Sequence, residues 1–118
     1  MVFGRISKLF FSITLMLQTL KSSEIANALA HLDQWTLGAN ETHIQKEWVF
    51  ESFQTAVRFF VKVAELAEGA NHHPEFTSTY TRALIRLTTH DANGLTTKDF
   101  DLAMQIDRLI RQYFVEQA

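Results

Sequence analysis

The sequence predicts an α+β domain: a four-stranded antiparallel sheet with three helices packed on one face. Two observations carry that expectation. Apolar residues recur first at helical and then at alternating spacing, in the order helix, two strands, helix, two strands, helix, and a chain this short buries such a set most simply in two layers. The length of 118 residues, 47% of them apolar and 20% charged, suits one hydrophobic core and excludes a disordered chain. No linker, low-complexity tract or charge run marks a second domain, so residues 21–118 are read as one domain behind an extension over residues 1–20.

The elements follow in order. Ile25, Ala28, Leu29 and Leu32 share a helical face, with Ser22 as candidate N-cap and Glu24 in the positive first turn. Gln34 to Leu37 reads as a short extended segment, and Gly38-Ala39-Asn40 as a turn. Ile44, Trp48 and Phe50 then keep a period of two, as expected of a second strand pairing back on the first. The clearest helix comes next. Phe53, Ala56, Val57, Phe60, Ala64 and Ala67 form one stripe, and Phe59, Val63 and Leu66 another. A helix apolar on so much of its circumference is expected to be covered on two sides, and to end near Gly69. Strands around Glu75–Tyr80 and Ala83–Thr88 are expected to pair as a hairpin across Thr81-Arg82. Thr96-x-x-Asp99 has the form of a capping box opening a last helix, with Leu102, Ile106, Leu109, Ile110 and Tyr113 on its apolar side.

Composition excludes several function classes. Eleven Lys plus Arg against 13 Asp plus Glu give a formal charge of −2, too little positive charge for binding nucleic acid through phosphate neutralisation. Without cysteine there is no disulfide framework, thiolate nucleophile or cysteine zinc site; a reducing, cytoplasmic setting is expected. The apolar run Leu9 to Leu17, behind Arg5 and Lys8, is far short of the roughly 20 residues that span a bilayer, so no membrane role is expected. It has a basic start and an apolar stretch like a secretory signal, but no small-x-small cleavage pattern follows. Translation upstream of a natural start at Met16, a targeting segment, and a helix packed on the domain all fit residues 1–15, and none decides function.

The chemistry is expected in one titratable cluster: Glu68, Asn71-His72-His73-Pro74, Thr88-Thr89-His90-Asp91, and Gly94-Leu95-Thr96 with Asp99. Imidazole titrates closest to neutral pH, so three histidines near one another suit proton transfer in both directions. Proline forces the preceding residue into extended geometry, so His73 is held out of helix and His72 is expected at a different depth. Each group also fits a structural role. His72 and His73 fit a helix C-terminus, His90 a turn, Asp99 the third position of a capping box, and Glu68 a solvated helix end. Metal ligation by the three histidines is disfavoured, because adjacent residues of an extended segment face opposite ways.

In order along the chain, Glu68-x-x-x-His72-His73-Pro74, Phe76, Tyr80, Leu87-Thr88-Thr89-His90 and Gly94-Leu95-Thr96-x-x-Asp99 resemble the pterin-4a-carbinolamine dehydratases. The resemblance extends to Trp35, to Trp48-x-Phe50-x-x-Phe53 and to the phenylalanine-rich helix, and covers roughly residues 20–112. It implies removal of water from a 4a-hydroxytetrahydropterin to give quinonoid dihydropterin, in tetrahydrobiopterin recycling. It also implies the four-stranded fold, homodimers or homotetramers built by helix packing and sheet-edge pairing, and neither metal nor organic cofactor. On this resemblance His72 and His90 match the acid and base histidines, and His73 the one that holds the pterin. Asn71, Thr88, Thr89 and Asp91 match the substrate-binding segment. Glu68 and Asp99 match carboxylates that orient the imidazoles. Phe76 departs from the pattern, since some relatives carry tryptophan there, and the indole donor is lost. A mammalian relative also serves as dimerisation cofactor of a transcription factor, so a protein-dimerisation module with an idle pterin pocket is the alternative expectation.

Overall fold

A computed structural model describes residues 18–114; the expectations for residues 1–15 lie outside them. Helix α1 spans Ser22–Leu29, β1 Thr36–Leu37, β2 Ile44–Val49, α2 Phe53–Ala70, β3 Glu75–Thr79, β4 Arg82–Leu87 and α3 Thr97–Tyr113, with 3₁₀ turns at Ala39–Glu41 and His90–Ala92. The strands form one antiparallel sheet in the order β1-β2-β4-β3. Together with the three helices this is the α+β architecture expected from the sequence.

Alternation along the central strands decides which face is covered. Ile44 and Trp48 of β2 and Ala83, Ile85 and Leu87 of β4 turn toward the helices and are buried. The opposite face is polar, with Arg82 donating to Glu47 at 2.8 Å. Ile25 of α1, Phe59 and Val63 of α2, and Leu102, Ile106 and Ile110 of α3 complete the core. Phe59 is its centre, with ring centroids 4.8 Å from Trp48, 5.1 Å from Phe50 and 5.8 Å from Phe114. Such aromatic pairs add roughly 0.5–1.5 kcal/mol each beyond the area they bury.

The structure buries a seam drawn from both stripes of α2. Ala56, Phe59, Val63 and Ala67 face inward, while Phe53 is 50% and Val61 54% exposed. The small side chains of Ala56 and Ala67 let the helix approach the sheet, and Phe59 and Val63 fill the space between them. Phe53, Val57 and Val61 remain uncovered in the single chain, so the second covering layer expected for this helix is not supplied from within the described residues.

Three local expectations are corrected, and a fourth, the end of α2, is met. Lys21, rather than Ser22, precedes the first helical residue; the Lys21 N–H donates to Glu24 Oε1, and Ser22 Oγ instead donates to Glu41. Only Thr36 and Leu37 are extended, since Gln34 has φ 63°, outside the strand region. α2 ends at Ala70, near Gly69 as expected, because Asn71 takes the left-handed conformation that ends it. The hairpin turns on Tyr80-Thr81, one residue earlier than expected, with Tyr80 at φ 53° and Thr79 paired with Arg82.

A buried polar network fixes the segment between α1 and β1. Asp107 of α3 accepts from Trp35 Nε1 at 2.8 Å and from the Asp33 N–H at 2.9 Å. Lys46 lies 3.9 Å from the same carboxylate, donates to the Asp33 carbonyl, and sits 5.3 Å from the Trp48 ring centroid. Every polar group taken from water here except the Trp48 indole N–H has a partner, which keeps the burial tolerable.

Candidate functional site

The end of α2 aims the first histidine. Asn71, at φ 51° and ψ 44°, turns the chain out of the helix, a conformation asparagine accepts more readily than most residues. The Asn71 N–H donates to the Glu68 carbonyl and the His72 N–H to the Ala67 carbonyl at 3.0 Å. This is the double closure of a Schellman motif, and it fixes His72 one step beyond the helix. Pro74 then holds His73 extended, and the two rings part. His72 is 8% exposed, whereas His73 lies at the surface 3.6 Å from Glu68 Oε2.

His72 turns inward to Asp99, which is fully buried in the first turn of α3. Nε2 of His72 lies 2.6 Å from Asp99 Oδ1. The other oxygen, Oδ2, accepts from Thr89 Oγ1 at 2.8 Å and from the Thr96 N–H at 3.0 Å. Thr96 Oγ1 meets Thr89 Oγ1 at 2.8 Å and accepts from the Lys98 N–H. A carboxylate only accepts, so Nε2 of His72 carries the proton and donates. Nδ1 of His72 has no partner among the described residues and is not enclosed. A buried, charge-assisted bond thus fixes the tautomer and ring plane, and presents the other nitrogen to whatever enters from outside.

Three chain segments meet at that carboxylate: the exit of α2, the exit of β4 and the entry of α3. Thr89 is extended, at φ −107° and ψ 100°, so its side chain enters the network and the next residue turns away. His90 and Asp91 sit in the short 3₁₀ turn and are exposed. The loop is closed at its base by paired backbone bonds between Thr89 and Gly94, and Asn93 supplies a left-handed residue at φ 61°. Thr88 Oγ1 donates to the Thr42 carbonyl, tying the end of β4 to the entry of β2. Phe76 lies on the helix-facing side of β3, its ring centroid 4.8 Å from that of Phe60.

Of the residues singled out from the sequence, His72, Thr89 and Asp99 therefore share one hydrogen-bonded centre. His73 and Glu68 form a separate surface pair, while Asn71, His90 and Asp91 make no side-chain bond to that centre among the described residues. Thr96, which the sequence placed in the cluster without a role at the site, is the fourth member. Its signal was present in the capping box, whose acid at the third helical position is the same Asp99. A cap was sufficient explanation for it until His72 arrived on the carboxylate's other side. Among the described residues no group of three His, Asp or Glu side chains is arranged to hold a metal ion.

Comparison with known proteins shows the family and the fold. Residues 18–109 match the family model described as pterin 4 alpha carbinolamine dehydratase. A protein of Roseiflexus sp. (strain RS-1) is 46% identical over 95 residues, covering 80% of this chain and 100% of its own. A protein of Cyanothece sp. (strain PCC 7425 / ATCC 29141) is 42% identical over 96 residues, covering 81% and 97%. Both bear the name "Putative pterin-4-alpha-carbinolamine dehydratase". Among solved structures, a transcriptional coactivator/pterin dehydratase from Brucella melitensis superposes with TM-score 0.75 at 34% identity, covering 78% of this chain and 98% of its own. A pterin dehydratase-like RuBisCO assembly factor of the alpha-carboxysome shares the fold, with TM-score 0.57 at 22% identity over 65% of this chain and 89% of its own.

Proposed function

The chain belongs to the pterin-4a-carbinolamine dehydratase family, and from that premise we propose that it is a 4a-hydroxytetrahydrobiopterin dehydratase working by histidine acid–base catalysis. The reaction expels the C4a hydroxyl as water and removes a proton from the pterin ring, giving the quinonoid dihydropterin of tetrahydrobiopterin recycling. A general acid protonates the departing oxygen and a general base takes the ring proton. Each contribution is typically about 10²–10⁴-fold in rate.

The observation that carries the reading is the buried bond from His72 to Asp99. It orients an imidazole whose second nitrogen is open, and orientation of that kind is what a proton-transfer group needs. In this reading His72 and His90 divide the acid and base work, and His73 holds the pterin beside Glu68. Asn71, Thr88 and Asp91 line the substrate's approach, with Phe76 adding an apolar ring beside it. Thr89 acts only through Asp99, to which its hydroxyl is committed, and Asp99 acts through His72. The enzyme acts in the cytoplasm as a homodimer or homotetramer, with neither metal nor organic cofactor. None of the helices among the described residues is long and apolar enough to cross a membrane.

A second reading has its own observation. The exposed face of α2, with Phe53, Val57 and Val61, offers an apolar surface to a protein partner, as a coactivator role would require. Purified protein assayed for 4a-carbinolamine dehydration with a chelator present separates the two. Turnover above the uncatalysed rate is expected; its absence in a folded, correctly assembled protein would leave the partner role and refute the enzyme.

A further inference from the structure

A hollow away from the Asp99 centre has a mainly apolar lining. It is a groove of about 420 Å³ between α1 and the first half of α3. Ala28 and Leu32 line one side and Phe100 and Met104 the other, with Leu20 contributing as well. Thr97, Phe100, Asp101 and Met104 recur at helical spacing on a face of α3 distinct from the one that buries Asp99. Two carboxylates, Glu24 and Asp101, line it, and no lysine or arginine does.

We propose that this groove is the docking site of residues 9–17 of the same chain. The first argument is position. The Leu20 N–H donates to the Leu95 carbonyl at 2.9 Å, and a Cβ on Gly94 would meet the Thr19 methyl at 2.9 Å, so the chain leading into α1 is packed against the turn before α3. Leu20 itself lines the groove, and Leu17 is three residues before it in sequence, so the tether to residues 9–17 is short.

The second argument is composition. Leu9, Phe10, Phe11, Ile13, Leu15, Met16 and Leu17 make seven of nine residues apolar, and exposed apolar surface costs about 25 cal/mol per Å² relative to burial. The family match begins at residue 18, so these side chains lie outside the segment matched to the family, while every residue lining the groove lies inside it. The third argument is charge. Arg5 and Lys8 immediately precede the run, and the groove offers them two carboxylates with no lysine or arginine beside them, His31 being the one basic side chain in its lining. A short tether gives an effective concentration in the millimolar range, so an intrinsic affinity of only ~0.1 mM would keep the groove about 90% occupied.

The chain has no cysteine, so Ser12→Cys in the full-length protein gives a single site for a nitroxide spin label. Expected is at least threefold stronger broadening of the Ala28, Leu32 and Met104 amide signals than of Thr77 and Leu84 in the sheet, unchanged on tenfold dilution. Adding Leu15→Asp should remove the broadening while the dispersion of the folded spectrum stays the same. Uniform or absent broadening overturns the proposal. So does broadening seen only when labelled and isotope-enriched chains are mixed, which would make the occupant a second copy. A mass showing that the natural chain begins at Met16 overturns it as well.

Discussion

Asp99 bonds His72 with one oxygen, at 2.6 Å, and Thr89 and the Thr96 N–H with the other, so one buried carboxylate joins a helix exit to a strand exit. Asp99→Asn keeps the shape but replaces an acceptor by an amide donor, and His72 loses the group that fixes its tautomer. The expected result is a kcat at least about tenfold lower, less than the ~10²–10⁴-fold of removing an acid–base imidazole outright, with KM changed little. A pH–rate profile shifted relative to the parent distinguishes this positioning role from loss of structure. An unshifted profile at full rate would refute it.

His72→Ala and His90→Ala should each lower the dehydration rate tenfold or more, in keeping with the ~10²–10⁴-fold usual for an acid or base. Their effects on stability should differ. His72 is buried on a carboxylate, and its loss leaves a charge-bearing acceptor short of a donor, at a cost of about 1–3 kcal/mol. His90 is exposed in a turn, and its removal should stay within about 0.5 kcal/mol of the parent. Urea denaturation beside single-turnover kinetics reads both effects, and two variants at full rate would overturn the assignment.

Asp107→Ala should destabilise the protein by about 1–3 kcal/mol, because the buried Trp35 indole N–H loses its acceptor and the half-buried Asp33 N–H loses its own. The check is a lower urea midpoint with an unchanged slope. Asp107→Asn, which retains one acceptor oxygen, should recover part of the loss. Equal midpoints for the alanine variant and the parent would mean that water replaces the carboxylate at no cost.

The His43 ring occupies the space beside Gly38, where an added Cβ would lie 2.0 Å from it. Burial lowers the His43 pKa below its ordinary 6.5, aided by Arg86 and opposed by Glu75 and Gln45. The unfolded chain therefore binds the proton more readily. The contribution of neutral His43 is fully present above pH 6.5 and is lost as pH falls through the lower folded value. The stability advantage of the parent over His43→Gln should shrink between pH 7.5 and pH 5 in urea titrations. An advantage that grows toward acid would reverse the sign and contradict the burial.

By itself the sequence determined which stretches are helix and which are strand, because period and capping are local properties. The Thr96-x-x-Asp99 box set the start of α3, and the Asn71-His72-His73-Pro74 run marked where α2 stops and how its two imidazoles separate. Tertiary structure decided what those local devices face. Residues 72 and 99 are 27 positions apart, so their bond exists only once α3 has crossed over the end of α2. The apolar circumference of α2 left two stripes equally eligible, and contact with the sheet buried the seam between them, where Ala56 and Ala67 of one allow close approach around Phe59 and Val63 of the other. A periodic pattern specifies a surface, but only the partner element specifies which surface is covered.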